Sequence, residues 1–120
     1  MNPLRVYLIC ANRLVCEAMN AVLHREGIEL VGMETDTAAA LAQVRALDPD
    51  VVLIEGDGNR VEARLMSALA RLAYGRAKPR IIRLSLPDEE LYIYYQEQRR
   101  FVDTHDLVAA IRSSIQTSSS

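Results

Sequence analysis

The spacing of hydrophobic positions changes period along this chain, and each change marks an element. Leu4–Cys10 (LRVYLIC) is a short apolar, β-branched run without sustained polar alternation, the pattern of a strand covered on both faces. Leu14, Val15, Ala18, Met19, Val22 and Leu23 then recur at three- and four-residue spacing, which predicts an amphipathic helix over Leu14–Glu26 that stops at Gly27. Ile28–Met33 reads as a second strand. Thr35, Asp36 and Thr37 offer capping oxygens to a second helix, with Ala40, Leu41, Val44 and Leu47 on one face and an end at Asp48-Pro49-Asp50. Val51–Ile54 is wholly apolar, as a buried parallel strand should be, and runs into the turn formers Glu55-Gly56-Asp57-Gly58-Asn59. Val61, Leu65, Ala68, Leu69 and Leu72 predict a third helix ending near Gly75, and Arg80–Leu86 a fourth strand.

Strands alternating with single helices make a parallel sheet with helices on both faces, so the predicted class is α/β, doubly wound. Binding or reacting groups then belong at the carboxyl ends of the strands. Here those ends are Cys10-Ala11-Asn12, Glu55-Gly56-Asp57 and Ser85-Leu86-Pro87. After Leu86 the rhythm breaks, because only Pro87-Asp88-Glu89-Glu90 separates it from the β-prone Leu91-Tyr92-Ile93-Tyr94-Tyr95. A parallel return needs about a dozen residues, so an antiparallel hairpin is expected in place of the fourth crossover helix. Gln96–Gln98 would be the next turn and Arg99–Val102 a short last strand. Asp103 or Thr104 would then cap a final helix with Leu107, Val108, Ile111 and Ile115 inward. The expected domain is 1–115, with 116–120 a polar tail that is either a frayed end or the stub of a linker.

Composition narrows the function classes. A 120-residue chain with 50% hydrophobic residues has room for one core, burying roughly 65% of its unfolded surface, and none for a second domain. With 14 Lys and Arg against 16 Asp and Glu there is no basic excess, which disfavours nucleic acid as a partner. The apolar run Val6–Cys10 is too short for a membrane span or a signal sequence, so no membrane association and a cytoplasmic location are expected. Cys10 and Cys16, with His24 and His105 standing apart, give no zinc spacing and suit a reducing compartment; no metal and no cofactor are expected.

The stretches Leu4–Leu23, Ile28–Leu47 with Val31-Gly32, Pro49–Glu55 (PDVVLIE) and, more faintly, Asp106–Arg112 together resemble the receiver domain of bacterial response regulators, most closely those joined to helix-turn-helix outputs. The resemblance covers about residues 4 to 86 and implies a flavodoxin-type fold. In that family an acidic pair follows the first strand, a phosphate-accepting Asp ends the third, a Ser or Thr ends the fourth and a Lys ends the fifth. Mg2+ sits between the acidic pair and the phosphoacceptor. Residue by residue, the acidic pair falls on Cys10 and Ala11, the phosphoacceptor on Glu55 and the hydroxyl on Ser85. Asp57 would replace Glu55 only if the strand register shifted, and the Lys has no counterpart, the nearest cations being Arg99 and Arg100.

A thiol and a methyl in place of two carboxylates should abolish an octahedral oxygen site, leaving phosphoryl charge without neutralisation. Glu55 also carries its carboxylate farther out by one C–C bond, about 1.5 Å, where a displacement near 1 Å already costs about a hundredfold in rate. The resemblance therefore implies a pseudo-receiver with a degenerate phosphorylation site at Cys10, Ala11, Glu55, Asp57 and Ser85. Such a chain is no enzyme; it acts through surfaces.

Each candidate has a plainer reading beside it. Glu55 is either a fixed negative charge standing where a phosphoaspartate would, with Ser85 as partner, or a solvated strand-end residue. Cys10 precedes a helix N-terminus, where a thiolate gains from the dipole, and a phosphocysteine carrier of the sugar-transport type shares the strand, Cys, loop and helix order, so a Cys10-dependent phosphocarrier or redox protein is an alternative function. Against that, Asn12-Arg13-Leu14 has no glycine to cradle phosphate, which leaves a buried structural cysteine as the simpler role. Cys16 is read as packing or half-exposed, and a small-ligand sensor using the crevice near Cys10, Glu55 and Ser85 is a third function. In the aromatic strand, Leu91, Ile93 and Tyr95 face one way and Tyr92 and Tyr94 the other, so both faces are bulky. That predicts either an interface, for a homodimer or a signalling partner, or a roof over the core. His24, His105 and the arginines at 60, 64, 71 and 76 are expected on the solvated surface.

Overall fold

The computed structural model describes residues 4–56, 60–76, 78–85, 90–93, 98–100, 108–109 and 111–112. Its first seven elements alternate strand and helix: β1 (Val6–Ile9), α1 (Arg13–Arg25), β2 (Leu30–Glu34), α2 (Thr37–Leu47), β3 (Val51–Glu55), α3 (Arg60–Ala73) and β4 (Arg80–Ser85). The four strands are all parallel and lie in the order β2-β1-β3-β4, an arrangement compatible with a flavodoxin-like fold. Extended backbone at β5 (Glu90–Ile93) and β6 (Gln98–Arg100) continues the sheet beyond β4, with Ile82 opposite Ile93 and Glu90 opposite Arg100 in antiparallel register. The links at 86–89 and 94–97, and with them Leu86, Tyr94 and Tyr95, lie outside the described residues, as do 101–107 and 113–120.

Both faces of the parallel sheet are covered, and that is why its strands show no polar alternation. Val6, Leu8, Val51, Leu53, Ile82 and Leu84 point to the side of α1, where they meet Met19 and Leu23 together with Val108 and Ile111 of a helical C-terminal stretch. Tyr7, Ile9, Val52, Ile54 and Ile81 point the other way, onto Ala40 and Val44 of α2 and Leu65 and Leu69 of α3. Burying a large aliphatic side chain is worth about 1.5–3 kcal/mol, so these two layers supply most of the drive to fold.

The helix limits follow from local chemistry. Asn12 caps α1 by accepting from the Val15 N–H at 2.9 Å, and Asp36 caps α2 by accepting from the Ala39 N–H at 3.0 Å. At the far end of α1, Gly27 takes φ +82°, and its N–H and that of Ile28 donate back to the carbonyls of His24 and Leu23, closing a Schellman motif. Asp48 closes α2 from the left-handed region at φ 48°, a conformation that Asp tolerates better than most residues.

One helical face departs from the sequence expectation. Leu14 is 76% exposed, and the inward row of α1 is Cys16, Met19 and Leu23. Leu14 and Cys16 sit two residues apart, about 200° around the helix, so only one of them can face the sheet. The Cys16 thiol reaches the Glu34 carbonyl at 4.0 Å, and the phase of the helix follows it.

On the opposite face, the fully buried Tyr7 donates its hydroxyl to Gln43 Oε1 at 2.6 Å. Its ring lies across Gly32 of the neighbouring strand so closely that a Cβ there would stand 2.7 Å from Tyr7 Cε2, which is the reason for a glycine in mid-strand. Burial pushes the Tyr7 phenol from its ordinary 10.0 up to about 12, with the negative charges of Glu34 and Cys16 adding to the effect.

Candidate functional site

In a sheet of order β2-β1-β3-β4 the winding across the sheet reverses between β1 and β3, and the crevice at their carboxyl ends is where open α/β folds place ligands. Four of the candidate residues stand on its rim. Cys10 and Ala11 follow β1, Glu55 closes β3, and Ser85 closes β4, of which the backbone alone is described. Asp57 lies outside the described residues.

The crevice is bridged by the protein itself. Glu55 is only 8% exposed, which corrects the reading of a solvated strand-end residue, and its Oε1 accepts a hydrogen bond from the Ala11 N–H at 3.2 Å. Because β1 and β3 pair with Ile9 opposite Ile54, Glu55 comes level with Cys10, and its side chain reaches the N–H of Ala11 one residue further on. Just beyond it, the Gly56 N–H reaches the Leu84 carbonyl at 3.3 Å and ties the end of β3 to β4. A buried carboxylate held by a backbone N–H is a charge-assisted contact, and it fills the place an exogenous anion would need.

Cys10 and Cys16 lie behind this bridge. Both thiols are free and buried, so Cys16, left open above between packing and half-exposure, is a packed residue. They converge on one acceptor: the Glu34 carbonyl takes the Cys10 N–H at 3.2 Å and the Cys16 thiol at 4.0 Å. Burial pushes the Cys10 thiol far above its ordinary range, helped by its hydrogen bond with Cys16 and by the charges of Cys16 and Glu55. Cys16 is raised as well, again by burial first, although hydrogen bonds from Cys10 work in the opposite direction. The helix N-terminus that might have favoured a Cys10 thiolate is already capped by Asn12.

The donor set does not fit Mg2+. Cys10 offers a soft, protonated sulfur, Ala11 a methyl, and Glu55 a single carboxylate already engaged, where a hard cation asks for several oxygens. Among the described residues no three His, Cys, Asp or Glu side chains gather as a metal site. A cavity of about 70 Å³ lined by Arg13, Cys16, Met33, Glu34 and Thr35 lies on the β2 side of the crevice. No family model matches the chain, and no curated protein matches it. Among the described residues no helix is long and apolar enough to cross a membrane.

Sequence reasoning brought Cys10, Ala11 and Glu55 to one edge but missed two features. It gave Cys16 no part in the site, although six residues from a strand end to the second turn of the following helix is a spacing that folds one cysteine back over the other. It also missed the Glu34 carbonyl, for which a backbone acceptor leaves no signal in the sequence.

Proposed function

We propose that this chain is a receiver-like domain whose phosphorylation site has been closed from within, serving as a phosphorylation-independent interaction module in bacterial signalling. The observation that carries this reading is the Glu55 side chain, buried at the end of β3 and bonded to the Ala11 N–H at 3.2 Å, in the place where the resembled family keeps its phosphoacceptor. A carboxylate locked in that position serves as a permanent internal anion. With Cys10 and Ala11 in place of the acidic pair, the domain performs no phosphoryl transfer and is not an enzyme.

The finer architecture belongs to the same proposal. In place of a fourth crossover helix, an antiparallel hairpin runs from β4 into β5, in the outer part of the sheet. The proposed interface for a second copy or for a signalling protein, in the cytoplasm, is the stretch Leu91, Tyr92, Ile93, Tyr94 and Tyr95, of which the last two lie outside the described residues. The two competing readings each meet an obstacle. A phosphocarrier needs a nucleophilic thiolate, whereas burial holds the Cys10 thiol protonated. A metabolite sensor needs a pocket of roughly 300 Å³ or more, whereas the cavity beside Cys16 holds about 70 Å³.

The deciding experiment is an amide NMR titration with Mg2+ followed by beryllofluoride, a phosphoryl mimic. The expected result is no saturable shift at Cys10, Ala11, Glu55, Asp57 or Ser85. Saturable shifts clustered at those residues would sink the reading and restore a working phospho-switch. Sedimentation equilibrium checks the surface: a monomer persisting at high concentration removes the homodimer.

A further inference from the structure

The pair of buried thiols is not used by the proposed function, and one of the two borders a cavity. Cys10 ends β1, Cys16 occupies the second turn of α1, and one carbonyl, that of Glu34, receives the Cys10 N–H at 3.2 Å and the Cys16 thiol at 4.0 Å. The shared acceptor fixes the two residues on one side of the sheet within the same core layer. Of the two, only Cys16 lines the adjoining cavity, together with Arg13, Met33, Glu34 and Thr35. That cavity, about 70 Å³, admits a few water-sized molecules and excludes a bulky oxidant such as a peptide disulfide. The two cysteines are thus unequal: one stands at an entrance, the other behind it.

We propose that Cys16 and Cys10 form an oxidisable dithiol, in which hydrogen peroxide entering the cavity oxidises Cys16 and Cys10 then closes an intramolecular disulfide. In the first step the Cys16 sulfur attacks one peroxide oxygen, the O–O bond breaks, and the released hydroxide takes the Cys16 proton to become water. In the second, the Cys10 sulfur attacks the Cys16 sulfenic sulfur, the S–S bond forms as the S–O bond breaks, and the hydroxyl leaves with the Cys10 proton as a second water. Two thiols lose two electrons and one peroxide gains them. Of the two thiols only Cys16 lines the cavity, which makes it the attacking group and leaves Cys10 as the resolving one. The bond ties the second turn of α1 to the end of β1, next to the Ala11 N–H held by Glu55. This inference stands apart from the receiver reading, since it needs neither a phosphoryl group nor a partner.

The test treats the reduced, folded chain with hydrogen peroxide and follows intact mass, then peptides after digestion without reductant. The expected result is the loss of two hydrogens and a peptide joining Cys10 to Cys16. In Cys10→Ala the disulfide is lost and the Cys16 peptide gains oxygen; in Cys16→Ala the Cys10 peptide gains none over the same period. Two outcomes overturn the proposal: both thiols remaining alkylatable after unfolding with no hydrogens lost, or oxidation at a rate that rises with urea in step with global unfolding. The wild-type mass and the cross-linked peptide decide the matter even if either substitution fails to fold.

Discussion

The two ends of the parallel sheet solve the same problem, how to finish a row of buried strands, by opposite means. At the amino end the polar groups are charged, of both signs and half-exposed. Arg5 donates to the Leu47 and Asp48 carbonyls at 2.6 and 3.2 Å, its N–H meets Asp50 Oδ2 at 3.0 Å, and Asp48 takes Arg76 at 2.9 Å and Lys78 at 3.4 Å. At the carboxyl end a buried carboxylate and the buried Cys16 thiol face backbone groups, with the buried Cys10 beside them. The first end is a water-screened clamp whose members contribute little one by one. The second is dry, so each polar atom there carries a larger penalty if its partner is removed. Ligands in α/β folds bind at the carboxyl end, yet three ion pairs between described residues gather at the amino end, which fits a scaffold role for those charges.

That contrast can be pressed with substitutions of falling effect. Leu53→Ala, in the centre of β3 and fully buried, should cost about 3 kcal/mol and lower amide-exchange protection at both ends alike. Protection lost at only one end would show that the two do not share one cooperative core. Glu55→Ala should cost about 1–3 kcal/mol, because it orphans the Ala11 N–H, while Glu55→Gln, which keeps an acceptor oxygen, should lose clearly less. Equal losses in urea melts of the two variants would mean that the charge, not the hydrogen bond, holds the crevice shut.

Tyr7→Phe lies between the two ends and removes the hydrogen bond to Gln43, for about 1 kcal/mol. The phenol also sets an alkaline limit. Its folded value near 12 stands above the ordinary 10.0, so its contribution is complete below pH 10.0 and is lost as pH climbs through about 12. Urea melts across that range should fall less steeply in Tyr7→Phe than in wild type; identical slopes would count against a buried neutral phenol.

The smallest effect belongs to the clamp. Burial pushes the Asp48 carboxyl upward, but hydrogen bonds and charge from Arg76 and Lys78 outweigh it and hold the group below its ordinary 3.8. A depressed folded value stabilises above the unfolded one and loses that contribution as pH falls below 3.8 toward the folded value. Arg76→Ala should therefore flatten the acid limb of the stability curve and its salt dependence, with little change at neutral pH. A large loss at pH 7 would make the amino end as dry as the carboxyl end and dissolve the distinction.

Much of this was legible from the chain. The alternation of apolar runs and 3.6-period faces gave four parallel strands and three helices, and Gly27 and Asp48 stand where α1 and α2 end. The carboxyl edge was located as well, since it depends only on strand order and crossover handedness. What was misjudged involved direction. Leu14 was counted inward because apolar spacing alone does not fix the phase of a helix, and Glu55 was allowed a solvated role because a charged residue before a glycine-rich turn usually is solvated.

The sequence by itself determined the elements and their order, because periodicity and capping are properties of neighbours along the chain. The tertiary structure alone decided that Glu55 meets Ala11 across 44 positions, that Tyr7 lies on Gly32 and reaches Gln43, and that Cys10 and Cys16 converge on the Glu34 carbonyl. Those contacts join strands brought side by side only when the sheet closes, and the burial that follows, rather than residue type, sets whether a carboxylate, a phenol or a thiol is exposed, bonded or held protonated.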